Sequence, residues 1–302
     1  PTYERFFAAG YAPYLFLLAA LMNILLVTRH TRAEEQSGRA ELLRAGPTGR
    51  HTALAATLTV AALANLAAAI VVTALAVGFG YAVAGSVLVG SATALTGLVF
   101  AGITSVSVQL SEFSRAAASM AGAALGVAFV LRALGDMVAV GGSALSWISP
   151  LGWAAQTAPY VHDRWTPLLL SAATAMVTIA IGFTLQGRRD FGASLVRPRP
   201  GPARARPSLG TPAGLAMRLQ RGGFFGWGVG ILILGVVDGL FAQAMVDAAE
   251  GMPEQLTAVF GSEQLLQGYL GFLATFVGIL TAAYVVFAMQ TLRTEENSGR
   301  AD

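Results

Sequence analysis

Residues 32–41 read Arg32-Ala33-Glu34-Glu35-Gln36-Ser37-Gly38-Arg39-Ala40-Glu41, and residues 293–302 read Arg293-Thr294-Glu295-Glu296-Asn297-Ser298-Gly299-Arg300-Ala301-Asp302. The changed positions keep a small, amide or acidic side chain, and each copy directly follows a long apolar run. Apolar helices drift freely among Leu, Val and Ala, so similarity there carries little weight. A charged string written twice at one place in the topology points instead to a duplicated structural unit whose polar loop has a task.

The surroundings of both copies are membrane. Hydrophobic residues make up 55% of the chain and charged residues 12%, against roughly 25% charged in soluble domains. Mean hydropathy is +0.64. A helix needs roughly 20 apolar residues to cross a bilayer, and seven runs reach that length: 6–28, 53–78, 83–109, 116–140, 167–186, 224–246 and 267–291. The fold class expected is therefore an all-α polytopic membrane protein. The chain has neither cysteine nor lysine, which excludes disulfides, thiolate metal sites and a cysteine nucleophile.

Arginine gives the orientation. Sixteen of the nineteen arginines fall in 29–52, 110–115, 187–223 and 292–302. Alternation places these four segments on one side, which the positive-inside rule makes cytoplasmic. Arg5 and Arg164 fall on the other side, where the 247–266 loop carries Asp247, Glu250, Glu254 and Glu263 without an arginine. Between Arg188 and Arg206 the prolines Pro198, Pro200 and Pro202 favour an extended, solvated tether lying near anionic headgroups. The expected divisions are 1–190, a first transmembrane repeat unit; 191–211, a Pro/Arg-rich cytoplasmic linker; and 212–302, the start of a second repeat unit.

The spacing of the two copies implies a longer parent. In the second unit, about eighty residues lead from the linker to the repeated string, whereas in the first unit about thirty precede it. A missing leading span, and the absence of anything equivalent to 42–190 after Asp302, predict six spans per half and twelve in total. The present residues would then cover spans two to eight.

The polar loop has a local reading. Thr31 and Glu34 stand at capping-box spacing. Glu35 and Arg39 stand four apart in the acid-first order, worth roughly 0.2–0.5 kcal/mol. Leu42 and Leu43 add an apolar patch, and Gly46-Pro47 ends the helix. These features predict one short amphipathic helix over 32–45 held beneath the membrane.

The string from Arg32 through Glu34, Glu35, Gly38, Arg39, Glu41, Leu42, Leu43, Arg44, Ala45, Gly46, Pro47 and Gly49 to Arg50 resembles the first cytoplasmic loop of actinobacterial ABC-2-type permeases, a group often labelled exporters of polyketide antibiotics. The similarity continues through Ser149-Pro150-Leu151-Gly152-Trp153, Arg188-Arg189-Asp190 and Arg218-Leu219-Gln220-Arg221-Gly222. The resemblance implies a 6+6 duplicated ABC-2 (type V) permease in the bacterial plasma membrane, moving a lipophilic compound outward. It implies a separate ATP-binding cassette ATPase, acting as a dimer, docked on coupling helices. The coupling residues would be Glu34, Glu35, Gly38, Arg39, Glu41, Leu42 and Leu43, with Glu295, Glu296, Gly299 and Arg300 in the second copy, and Gly38 permitting close approach. It also implies an amphipathic helix leading into each half, matched by 212–223, and short external re-entrant helices, matched by 143–165.

ATP hydrolysis would belong to that partner, because a Walker A loop needs a lysine and this chain has none. Neither an enzymatic activity, a cofactor, a metal nor a nucleic-acid partner is expected. Gly122 with Gly126, and Gly226 with Gly230, sit in apolar spans and read as close helix packing.

Two other classes have some support. Glu34, Glu35 and Arg39 fit the glutamate motif of CAAX-type intramembrane proteases, but His30, His51 and His162 all lie in loops, so the water-activating set is missing. An ion-gradient-driven secondary transporter expects ionisable residues inside the membrane, where Arg132, Asp136 and Asp238 qualify. Arg132 and Asp136 share a helical face and read as a mutual pair. Asn23, Asn65 and Gln109 read as interhelical hydrogen-bond links, and Trp147, Trp153 and Trp165 as an aromatic belt.

Overall fold

The structure is a computed structural model that describes residues 3–44, 46, 48–139, 141–196, 204, 210–250 and, with gaps, 267–289. The described residues form helices, turns and loops and carry no strand. They divide into two compact units, 1–199 and 200–302.

In the first unit, α1 runs as one apolar helix from Tyr3 to Gln36. It contains two wide π turns, Phe7–Tyr11 and Arg29–Ala33. The first lies just before Pro13, which has no amide to donate to the carbonyl four residues back, so the ladder is interrupted there. A short α2 (Arg39–Arg44) follows. Then come α3 (Thr52–Gly78), α4 (Val83–Leu110), α5 (Ser114–Val138), α6 (Pro150–Gln156) and α7 (Thr166–Arg188). A single 3-10 turn, Ser146–Ile148, precedes α6. Ser149 caps α6 by accepting from the Gly152 amide, with Pro150 at the first helical position.

The centre of this unit is α4, which packs against α1, α3, α5 and α7. Lipid tails are as apolar as leucine, so helices associate in a bilayer where small residues let backbones approach. The glycines of α4 face its neighbours in turn. A methyl at Gly90 would meet Ala69 and Thr73 of α3, one at Gly97 would meet Asn23 and Asn65, and one at Gly102 would meet Thr178 of α7. Gly182 of α7 returns the contact against Ser105. Several hydroxyls buried along α4 donate back into their own helix, as Thr93 does to Val89 and Thr104 to Phe100, whereas the buried Thr96 hydroxyl has no partner among the described residues. The outer faces of the surrounding helices show aliphatic side chains, among them Leu63, Leu66, Ile70 and Val71 of α3.

Three expectations change here. Gly122, Gly126, Gly226 and Gly230 have nothing within 4 Å of where a Cβ would stand. Their spacing matches the packing motif, yet among the described residues no helix lies against them. In the second unit, segment 212–223 and the span 224–246 form one uninterrupted helix, α8 (Pro212–Glu250). No residue there breaks the helical ladder, so no separate lead-in helix exists. Residues 191–196, expected to begin the linker, are pinned to the first unit, with the Leu195 amide donating to the Gln109 carbonyl at 3.0 Å.

Among the described residues, six helices are long and apolar enough to cross a membrane, and the seventh run shows a shorter apolar helix over Leu273–Val286. Phe224 and Trp227 of α8 stack near Tyr284 on that segment. The chain is a polytopic helical membrane protein. Asp238 lies on α8 with its side chain outside the described residues, and the repeated string 293–302 and most of the 247–266 loop also lie outside them.

Candidate functional site at the arginine-rich end

Helix α1 does not end where its apolar run ends. It continues through the π turn Arg29–Ala33 into Glu34–Gln36. One extra residue in a turn advances the following side chains by about 100° of helical phase. Arg32 and Glu35 thereby turn inward, and their side chains are 1% and 11% exposed. Arg32 Nη1 donates to Glu35 Oε2 at 2.7 Å. From the end of α7, Arg189 Nη2 donates to Glu35 Oε1 at 2.6 Å and its Nη1 to Oε2 at 3.0 Å, a bidentate fork on one carboxylate. Arg189 is itself 5% exposed.

The result is a buried Arg32–Glu35–Arg189 triad carrying one net positive charge. Carbonyls at helix ends offset that charge. Arg32 Nε donates to the Val108 carbonyl at 2.9 Å, and Nη2 donates to the same oxygen. Val108 lies in the last turn of α4, where carbonyls lack intrahelical partners and the helix dipole is negative. The Ala193 carbonyl accepts from Arg32 Nη1 at 3.2 Å and from Arg189 Nη1 at 3.2 Å, while Arg189 Nε donates to Gln109 Oε1. Three chain segments far apart in sequence thus meet around the triad.

The far end of the 29–52 loop is fastened too. Arg50 Nη1 donates to the Gly187 carbonyl at 2.8 Å. His51 Nδ1 lies 3.0 Å from Gln186 Oε1, and Gln186 Nε2 donates back to the Arg50 carbonyl at 3.3 Å. Gln36 Oε1 accepts from the Ser114 amide at 3.0 Å, at the start of α5. A cavity of about 210 Å³ lies beneath the loop, lined by His30, Glu34, Leu54, Arg50 and Phe191 among others.

With the loop and its anchors in view, two comparisons place the chain. The family model for the multidrug efflux system permease Rv1217c, C-terminal domain, matches residues 2–185 and 209–302. The chain belongs to this permease family. The multidrug efflux system permease protein Rv1217c of Mycobacterium tuberculosis (strain ATCC 25618 / H37Rv) is 40% identical over 288 residues, which is 94% of this chain and 52% of that protein. The chain thus spans about half the length of the curated relative it matches. Arg189, which closes the triad, falls in the stretch that the permease family model leaves unmatched.

Glu35, expected to face a partner, is largely buried in this family member. Glu35 pairs with Arg32 and Arg189 and not with Arg39, because burial with two guanidinium groups outweighs a weak exposed pair. Arg39 instead lies 3.6 Å from Glu34 and is 72% exposed. Thr31 forms no capping box. It sits inside a continuous helix, and its hydroxyl donates to the Val27 carbonyl at 2.6 Å.

The expected helix 32–45 is two pieces, broken at Ser37-Gly38. Gly38 has φ +76° with open space around it. Its positive φ makes it a left-handed stop, where a side chain would be strained. Glu34 is partly exposed and Glu41 is exposed. The side chains of Leu42 and Leu43, and all of Glu295, Glu296, Gly299 and Arg300, lie outside the described residues.

Sequence reasoning missed Arg32 and Arg189 as site residues. A signal was present, since two arginines beside apolar runs need a carboxylate if they are buried. Of the membrane charges, Arg132 and Asp136 meet: Arg132 Nε donates to Asp136 Oδ2 at 3.1 Å, and Asp136 Oδ1 accepts from Ser146 Oγ at 3.0 Å. Asn23 and Asn65 exchange two side-chain hydrogen bonds, 3.1 and 2.9 Å. Trp153 Nε1 donates to the Trp147 carbonyl at 2.6 Å, with Trp147 and Trp165 exposed. Among the described residues no cluster of three or more His, Cys, Asp or Glu could hold a metal.

Proposed function

We propose that this chain belongs to the membrane-spanning permease of an ABC-2-type exporter in the bacterial plasma membrane. A separate ATP-binding cassette ATPase energises it, and the cargo is a lipophilic compound, for which polyketide antibiotics are one chemical class. Segment 29–52 is the docking point. The similarity to a multidrug efflux system permease supports the transport reading. The observation that carries the docking reading is the buried triad, which ties an exposed loop to the ends of α1, α4 and α7. A push on the exposed part of the loop, at Glu34, Arg39 and Glu41, then reaches three helices through charged hydrogen bonds in low dielectric, where such networks are stiff. In the parent protein a second copy at Glu295, Glu296, Gly299 and Arg300 would serve the other subunit of an ATPase dimer.

The test uses the full-length protein expressed with its ATPase. The double change Glu34→Arg with Arg39→Glu keeps their mutual pair and inverts the pattern shown to a partner. Complementary charges across an interface set encounter and specificity. The swapped protein should stay folded in the membrane, lose co-purification of the ATPase, and lose export. A swapped protein that still binds the ATPase and exports at the unmodified rate would defeat the docking reading.

A further inference from the structure

Three arginines lie off the arginine-rich loops: Arg5, Arg132 and Arg164. Two of them line one cavity of about 240 Å³ at the opposite end of the first unit, with Pro13, Phe16, Pro159 and Val161 among its otherwise apolar walls. Carboxylates stand near these cations, Asp136 beside Arg132 and Glu4 and Asp163 around Tyr160, but few guanidinium donors are taken. Asp136 takes Arg132 Nε on one oxygen and the Ser146 hydroxyl on the other. Arg5 Nε donates to the Tyr160 carbonyl at 3.3 Å. A guanidinium carries four more N–H donors on its terminal nitrogens, and no hydrogen bond among the described residues uses those of Arg5 or Arg132. Arg5 is exposed and Arg132 is partly buried at this apolar wall, and their remaining donors are what an added anion would take in charge-assisted hydrogen bonds.

The wall is built at some cost. Ala158, Tyr160 and Asp163 have φ of 43°, 63° and 46°, a left-handed region costing of order 1 kcal/mol per residue. The Tyr160 amide donates to Asp163 Oδ1 at 2.8 Å, and the Arg164 amide to the Thr157 carbonyl at 2.8 Å. The Tyr160 ring is buried and its hydroxyl lies 3.0 Å from Ser86 Oγ. Burial pushes its pKa up, so the phenol stays neutral and adds no anion to the site. This tie holds Ala158, Pro159 and Val161 against the cavity. Backbone strain of this kind gathers at ligand clamps.

Volume selects the ligand. Pockets for whole drug-sized molecules span roughly 300–1,000 Å³, so this one takes a headgroup whose apolar remainder stays outside. Val161 on its wall is half exposed, and Phe6, Tyr11 and Trp147 are exposed aromatic residues of that end, the composition of a membrane interface. We propose that the Arg5–Arg132 cavity binds the phosphate headgroup of an anionic phospholipid from the leaflet at the arginine-poor end, with its acyl chains in the bilayer. The inference does not rest on the ATPase docking reading.

Full-length protein in dodecyl maltoside is titrated with dioctanoyl phosphatidylglycerol, dioctanoyl phosphatidylcholine or glycerol phosphate, and the lipid retained is counted by native mass spectrometry. Phosphatidylglycerol should bind at least about tenfold more tightly than the choline lipid, since one lost charge-assisted hydrogen bond is worth about that factor. Arg5→Gln should remove about tenfold. The double change Arg132→Gln with Asp136→Asn, which leaves no carboxylate unpaired, should do the same with an unchanged gel-filtration profile. Equal binding of the two lipids, or unchanged phosphatidylglycerol binding in both variants, would overturn the proposal. Glycerol phosphate binding as tightly as phosphatidylglycerol would also overturn it, since the tails would then contribute nothing.

Discussion

Replacing Glu35 by alanine should separate its structural role from the docking surface beside it. The change removes the acceptor of three charged hydrogen bonds, at 2.7, 3.0 and 2.6 Å. It leaves Arg32 and Arg189, 1% and 5% exposed, facing each other without an anion. Breaking a buried pair costs about 3–5 kcal/mol. Arg32 keeps the Val108 and Ala193 carbonyls, and Arg189 keeps Gln109, which places the loss at the lower end, about 3 kcal/mol.

The neighbouring Glu34 pairs at 3.6 Å with a largely exposed Arg39, so Glu34→Ala should cost less than about 1 kcal/mol. The two adjacent glutamates should then differ by a factor of roughly 30 or more in the folding equilibrium. Unfolding of the full-length protein by sodium dodecyl sulfate in mixed micelles, followed by circular dichroism, reads the difference directly. A third variant, Arg32→Met with Glu35→Leu and Arg189→Met, should recover much of the loss, because a buried ion triad exchanged for apolar side chains is often neutral. Equal losses for Glu34→Ala and Glu35→Ala, or a loss below about 1 kcal/mol for Glu35→Ala, would refute the triad as a structural anchor.

The remaining expectations concern orientation and packing. A cysteine-free chain allows single labels: Ser37→Cys should react with an impermeant reagent only from inside the cell and Val161→Cys only from outside, and the reverse pattern would invert the topology drawn from arginine. Gly182→Ala should destabilise by about 1–3 kcal/mol through overlap with Ser105, whereas Gly122→Ala, with open space around it, should be neutral or slightly stabilising in the same assay. Asn65→Leu should cost about 1–2 kcal/mol by leaving Asn23 with a single acceptor at Ala19. The double change Asn23→Leu with Asn65→Leu should cost less than that single change, and a larger loss for the double would remove the paired role.

What the chain determines by itself is what depends on neighbours in sequence. Stretches such as 53–78 and 83–109 become helices within one or two residues of their expected ends, because backbone groups in lipid must be satisfied locally and glycine and proline punctuate the ladder. The Arg132–Asp136 pair, four residues apart on one helix, was legible for the same reason. Glu35 was not. Spacing offered it Arg39, but its partner Arg189 lies 154 residues away and becomes a neighbour only when α1 and α7 end beside α4. The glycines show the same division. Spacing marks Gly122 and Gly126 and Gly226 and Gly230 as packing sites, but the helix faces that touch decide in favour of Gly90, Gly97, Gly102 and Gly182. Periodicity records which residues share a face of one helix. Whether that face meets lipid, another helix or a buried charge is settled by packing between distant segments, and there burial in low dielectric outweighs the few tenths of a kcal/mol that local pairs supply.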